Sequence, residues 1–341
     1  MKNLSRNRSL LAQVGALASV GVLALGLVSC SSAEGNEGGG NAENKSELKI
    51  GSSPSLASLS LQGAIANGHF GEDGLTVEVV PNKSANDAVP QLLNGGIDIA
   101  QMDMITFLKA RNEGLPIQIV AGAGEQSTDG VEGEISGAGV VANPDSDIEG
   151  ALDLVGRTVG VPAIKTQTWM NIRAIVDEAG GDSSQIDFVE VPSAQTIDLV
   201  NRGQVDASTP SEPLQSSSIA QNKVKLVHST DVPGLKGAPS SVFVASEDFV
   251  TKNPETVENF ADSVYTAAAE IRDNPDLAKE IGEKQLNLKP EQLETMFVPA
   301  LATDHPTAEE LNMVIELAVR YEILEAAPEL EGAFAAPGEE N

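Results

Sequence analysis

Cysteine is all but missing: the 341 residues contain one, Cys30. A lone thiol closes no internal disulfide and builds no thiolate metal cluster. Histidine is nearly as scarce. His69, His228 and His305 lie far apart and in no metal-ligand spacing, so each reads as an ordinary surface or turn residue, with no metal site and no cofactor implied. Aromatic residues make up only 3% of the chain; the cores fall to Ala, Val, Leu and Ile, and few faces remain on which nucleobases can stack. Positive charge is short as well, with 21 Lys and Arg against 50 Asp and Glu and a net charge of −29. Nucleic-acid binding needs a basic footprint and is excluded as a function; the acidic excess serves solubility. The marks of catalysis are also lacking. There is no nucleophile–base pair and no metal cluster, and AGAGEQ (121–126) has neither the glycine pattern nor the Lys-Ser/Thr pair of a phosphate loop. No enzymatic chemistry is therefore expected.

What is present begins with an address. Lys2, Arg6 and Arg8 precede an apolar stretch from Leu10 to Val28, which ends in Leu27-Val28-Ser29-Cys30. Basic start, apolar run and small terminal residues form a secretory signal. The run approaches the ~20 residues that span a bilayer, so hydropathy alone leaves an uncleaved anchor open. The cysteine decides: Leu-Val-Ser-Cys resembles the lipobox of bacterial lipoproteins, whose cysteine is lipidated and becomes the mature N-terminus. Residues 1–29 are thus expected to be a signal peptide, Cys30 an acylated (palmitate-type) anchor, and 30–46 a flexible tether, since SSAEGNEGGGNAENKS holds no aliphatic side chain larger than Ala. The expected location is extracytoplasmic, lipid-anchored to the cell membrane.

From Leu48 the pattern changes to alternating strands and helices. LKIG (48–51), LTVEVV (75–80) and IDIA (97–100) read as strands separated by helical segments that stop at Gly68 and Asn94-Gly95-Gly96. This β-α-β-α-β rhythm is that of a doubly wound, mostly parallel sheet. The order returns about 110 residues later with RTVGV (157–161), a helix closing at Gly180, DFVEV (187–191) and VDAS (205–208). QLLNGGIDIA (91–100) matches DLVNRGQVDA (198–207), and AGVVANPDSDI (138–148) matches SSVFVASEDFV (240–250). Two similar lobes follow, a single large α/β domain with repeated grammar being the alternative. The lobes are assigned to 47–140, 141–245 and a return at 246–341, which includes C-terminal helices near 254–270, 276–286, 290–298 and 307–325.

The succession LKIG, GHFGEDGLTVEVV, LLNGGIDIAQMD and LPIQIV, followed by NPDSDIEGALDLVGRTVGVP, RGQVDASTPSEPL and SEDFVTKNPETVENF, resembles the SsuA/THI5-like (NMT1-like) substrate-binding family over roughly residues 48–275. The resemblance implies a type II-like periplasmic-binding-protein fold of two hinged α/β lobes. It also implies partnership with an ABC permease and its ATPase, and a ligand among sulfonates, taurine, nitrate and pyrimidine or thiamine precursors. The cysteine cluster associated with the pyrimidine-synthesising THI5 enzymes is absent. A monomeric receptor for a small polar or anionic molecule is the expectation; a surface solute sensor is the competing use of the same fold.

Ligands of open α/β sheets bind beyond the carboxyl ends of the strands. Four segments qualify: Ser52, Ser53 and Ser55 after the first strand; Gln101 and Asp103 after the third; Lys165, Thr166, Thr168 and Trp169 after the first strand of the second lobe; and Thr209 and Glu212 after its third. Two of these loops open helices, whose free N–H groups favour anions, and Lys165 adds a full charge. Asp103 and Glu212 instead ask for a donor or an ammonium group. Each residue also has a plainer reading: Ser and Thr as helix caps, Lys165 solvated, Asp103 capping the next helix, Glu212 in solvent, Trp169 packing its lobe.

Overall fold

The computed structural model describes residues 45–82, 85–127 and 137–335. The expected signal peptide, Cys30 and nearly all of the expected tether lie outside these residues. Along the chain run β1 (Glu47–Ser52), α1 (Leu59–Asn67), α2 (His69–Glu72), β2 (Thr76–Pro81), α3 (Ala85–Leu93), β3 (Ile99–Asp103), α4 (Met104–Asn112) and β4 (Ile117–Glu125). Then come β5 (Gly139–Ala142), β6 (Thr158–Val161), α5 (Gln167–Glu178), β7 (Asp187–Glu190), α6 (Thr196–Asn201), β8 (Ala207–Ser208), α7 (Leu214–Ala220) and β9 (Lys225–Ser229). The chain closes with β10 (Pro239–Ser246), α8 (Glu247–Lys252), α9 (Pro254–Asp273), α10 (Asp276–Leu286), α11 (Pro290–Thr295) and α12 (Ala308–Arg320).

These strands form two five-stranded sheets, ordered β2-β1-β3-β10-β4 and β7-β6-β8-β5-β9. In each, the first three strands are parallel and the fourth is antiparallel to its neighbours. That fourth strand is the one arriving from the other lobe: β5 follows β4, and β10 follows β9. The matched phrases 138–148 and 240–250 thus occupy equivalent places. Strand β10 belongs to the first sheet, so the chain re-enters that lobe before residue 246. Strand β9 and helix α7, two short elements with little periodicity, complete the second lobe without having been legible as such.

The internal repeat extends to single hydrogen bonds. Asp98 accepts the Lys49 amide through Oδ2 at 2.8 Å, and Asp206 accepts the Thr158 amide in the same way at 2.8 Å. Each carboxylate fastens the second strand of its sheet, β1 or β6, near its start. Gly95 (φ 74°) and Gly203 (φ 64°) take the left-handed conformation three residues ahead of these aspartates. The equivalence lies one residue out of the register that pairs the two phrases letter by letter.

Buried Leu48, Ile50, Ile99 and Phe243 knit the first sheet to Phe260 of α9. A larger core cluster runs through both lobes and includes Met104, Phe107 and Leu108 of α4 with Met170, Ile172 and Ile175 of α5. Helix α9 starts at Pro254, as its Asn-Pro-Glu signal predicts, but Asn253 does not cap with its side chain. Its Oδ1 accepts the Lys45 amide at 3.0 Å and its Nδ2 donates to the Phe249 carbonyl at 2.9 Å. Lys45 also pairs with Asp98 at 2.7 Å, so the chain is already held in place before β1 begins. His69 is paired with Glu270 at 3.0 Å. His228, expected at the surface or in a turn, is instead buried on β9, its Nδ1 2.7 Å from the Ser229 carbonyl.

Candidate functional site

A cavity of about 270 Å³ lies between the sheets. The parallel strands end at it, which is where open α/β sheets present loops and helix starts. All four segments singled out from the sequence reach it, each with at least one residue: Ser55, Asp103, Thr168, and Thr209 with Glu212. The other candidates do not line it. Ser52 is buried and donates to Gln101 Oε1 at 2.7 Å, and Gln101 in turn donates to the Ala57 carbonyl at 2.7 Å. Ser53 donates to the Asn82 carbonyl at 3.0 Å. Thr166 precedes α5 without capping it by its side chain, and its Oγ1 donates to the Ala163 carbonyl. Lys165 adopts φ 58° and sends its Nζ to the Glu322 carbonyl at 3.1 Å. Trp169 is buried against Phe188, its ring lying 4.9 Å from the Arg173 guanidinium.

Asp103 both lines the cavity and caps α4, accepting from the Thr106 amide at 3.1 Å and from Thr106 Oγ1 at 2.6 Å. Glu212 is not in solvent: it is 6% exposed. Its Oε1 accepts from Gln215 Nε2 at 2.9 Å and Ser216 Oγ at 2.7 Å. Burial raises its pKa, opposed by the Ser216 hydroxyl and then by the Phe297 amide.

Several lining residues were not foreseen. Glu125 ends β4; burial and then the charges of Asp304 and Glu310 push its pKa up to about 7, with Arg272 opposing. Gln126, Ser127 and Asp231 come from the two segments that join the lobes, and Asp231 Oδ2 accepts the Ser127 amide at 2.9 Å and its hydroxyl at 3.0 Å. Gln167, inside the cleft-facing loop 163–169 expected from the sequence, and Asn171, beyond it, project from the first turns of α5, with Gln167 Nε2 donating to Asn171 Oδ1 at 3.1 Å. Pro299, Ala300 and Leu301 arrive on the C-terminal segment.

A readable signal for that last contribution was the glycine alternation of β4. A methyl group at Gly122 would stand 2.7 Å from Ala302 Cβ and 2.9 Å from the Asp304 carbonyl oxygen. AGAG is therefore the footprint of a closely laid backbone, fastened by the Glu125 amide on the Ala300 carbonyl at 3.1 Å.

The electrostatics of the wall are one-sided. Asp103, Glu125, Glu212 and Asp231 line it, whereas no Lys, Arg or His does so among the described residues. The segment 128–136, TDGVEGEIS, which separates Ser127 from Gly137, has no basic residue in its sequence either.

A family model described as NMT1/THI5 like matches residues 59–278. The chain belongs to this family. The NMT1/THI5-like assignment agrees with the fold. The periplasmic aliphatic sulphonate binding protein SsuA of Escherichia coli superposes with a TM-score of 0.68 at 17% identity, covering 86% of this chain and 98% of that one. A Candida albicans gene product described as having the generic periplasmic binding protein fold superposes at 0.63 with 16% identity, covering 84% and 95%. The architecture is accordingly that of periplasmic binding proteins. In sequence, the formylaminopyrimidine-binding protein of Halalkalibacterium halodurans is 24% identical over 301 residues, 83% of this chain and 87% of that protein. The relatives named for an activity are binding proteins for small molecules.

Proposed function

We propose that this NMT1/THI5-like chain is the extracytoplasmic, lipid-anchored solute-binding component of an ABC importer. Its ligand is read as a small, uncharged or cationic metabolite rich in N–H donors, of the aminopyrimidine kind, in preference to a sulfonate or nitrate anion. The observation that carries the ligand class is the cavity wall, with its four carboxylates and no basic side chain among the described residues.

The magnitudes favour this choice. An anion about 4–8 Å from one ionised carboxylate is repelled by roughly 2–4 kcal/mol at an effective dielectric near 20. The N-terminus of α5 returns at most about 2 kcal/mol, and Lys165 is engaged at the Glu322 carbonyl. Taurine brings an ammonium group but leaves its sulfonate with the same lack of a positive partner. A donor-rich neutral ring avoids the repulsion and finds acceptors in the acids and amides. The similarity to a formylaminopyrimidine-binding protein points the same way.

A thermal-unfolding screen of the purified protein against a formylaminopyrimidine, taurine, methanesulfonate and nitrate tests the reading. A ligand at 100 times its Kd stabilises by about 2.7 kcal/mol, and only the pyrimidine is expected to do so. Stabilisation by a sulfonate or nitrate alone would reverse the choice of ligand.

A further inference from the structure

After α11 the chain returns to the cavity as a strap, residues 295–301, of which Pro299, Ala300 and Leu301 line the wall. The strap is fastened to the first lobe. Met296, Val298 and Leu301 pack on the apolar cluster of Leu56, Leu59, Ile271, Ala278 and Ile281. The Ala300 carbonyl accepts the Glu125 amide of β4 at 3.1 Å, and the Ala302 amide donates to the Ala123 carbonyl at 3.4 Å. The residues between these anchors meet the second lobe instead. Thr295 Oγ1 lies 3.4 Å from Ser217 Oγ of α7. The Phe297 amide sits close enough to the Glu212 carboxyl to hold its pKa down against burial. Pro299 stands against Gly137, just ahead of β5, where an added methyl group would come within 2.9 Å of Pro299 Cβ.

The two attachments differ in kind. The first is apolar burial with backbone pairing, which exposure to water would undo at a cost. The second is a hydroxyl pair, an amide beside a carboxylate and a contact on a glycine. Among the described residues, none of 295–301 joins the apolar clusters that hold the strands of the second lobe. Water replaces polar contacts of this sort at little net cost, so the strap stays with the first lobe and the second can leave it. Building on the receptor reading above, we infer that residues 295–301 are a latch carried by the first lobe, on which the second lobe seats through Ser217, Glu212 and Gly137 when the cleft closes. Seating supplies part of the closing free energy before a ligand arrives, and the apparent affinity of the cleft then scales with the fraction of molecules latched. Glycine at 137 permits the close approach; a side chain there holds the strap and the second lobe apart. Glu212 lines the cavity and also meets the strap, so the pocket and the latch share one side chain.

Pulsed dipolar spectroscopy on the ligand-free protein tests the latch. The full chain carries Cys30→Ser, which removes its one native thiol, and spin labels at Glu283→Cys on α10 and Gln221→Cys after α7, two exposed positions on opposite lobes. This parent protein is expected to show a short-distance population, the latched state. Gly137→Ala, which drives a methyl group against Pro299, is expected to lower the ratio of short to long distances by about tenfold or more. Thr295→Ala, which removes one hydroxyl of the pair with Ser217, is expected to lower it by about threefold. If Gly137→Ala fails to fold, Ser217→Ala carries the expectation of Thr295→Ala. A merely structural strap would lower the unfolding midpoint of these variants and leave the distances of the folded protein unchanged; that result overturns the latch, as does a parent protein with no short-distance population. The distances are read without ligand, so either result leaves the receptor reading standing, and a thermal screen in which no small molecule binds sinks that reading without touching the latch.

Discussion

Glu125 shows how much one carboxyl group can report. Burial, Asp304 and Glu310 together raise its pKa from 4.5 to about 7. Between these two values the folded protein holds more protons than the unfolded chain, so the contribution of this group to stability is present at low pH and is lost as pH rises through 7. Glu125→Gln is therefore expected to raise the melting temperature at pH 8 by roughly 2–4 °C, with the gain gone at pH 5, in a fluorescence-monitored melt. Equal effects at both pH values would mean that the substitution acts through packing. Glu125 carries no signal in the sequence because it ends not a parallel strand but β4, an edge strand reached by a distant tail. Asp103 and Glu212 both line the cavity, but their local roles divide. A helix cap is written into Asp103-x-x-Thr106, whereas the burial of Glu212 depends on neighbours that folding alone brings.

Helix α5 has two working ends. Its first turns carry Gln167, Thr168 and Asn171 to the cavity, while Arg173 lies between two rings, 4.9 Å from Trp169 and 4.8 Å from Tyr321. Tyr321, at the end of α12, donates to Asp177 Oδ2 at 2.9 Å, and Lys165 reaches the Glu322 carbonyl beside it. This clasp explains why Lys165 does not line the cavity: its partner lies 157 residues further on, a pairing that no local pattern encodes, while Trp169 packs within its own lobe against Phe188. Arg173→Met is expected to lower stability by about 1–2 kcal/mol through loss of its ring contacts, read from the urea midpoint. At the other end of α12, Thr307 accepts from the Glu310 amide at 3.2 Å in a capping box, and Thr307→Ala is expected to cost about 1 kcal/mol in the same measurement. The helices α5, α9 and α10 were legible from spacing and caps, and the short strands β1 and β6 from their apolar runs. The two-residue β8 was legible by its place in the repeat, while β9 and α7 offered neither signal.

The two lobes are not separate bodies joined only by strands. One core cluster passes through α4 and α5 and draws on both sheets, so unfolding is expected as a single calorimetric transition. Phe107→Ala, at the buried face of α4, is expected to shift that whole transition, by about 3–5 kcal/mol; a second, unshifted peak would show that the lobes melt apart. Opening of the cleft must proceed around this shared core and around the crossing segments, where Asp231 and Gln126 bind across. Ligand binding is therefore expected to produce a modest drop in the radius of gyration in solution scattering. The proposed anchor has its own test: Cys30→Ser should move the protein from the membrane fraction to the medium or periplasm. The clasp at Lys45 bears on that arrangement. Its partners Asp98 and Asn253 sit where the strands of the first sheet begin, at the end away from the cavity. Tension arriving from residue 44 would enter through that corner of the first lobe alone. The second lobe would carry none of the strain, and its swing over a captured molecule would be the same on a taut leash as on a slack one.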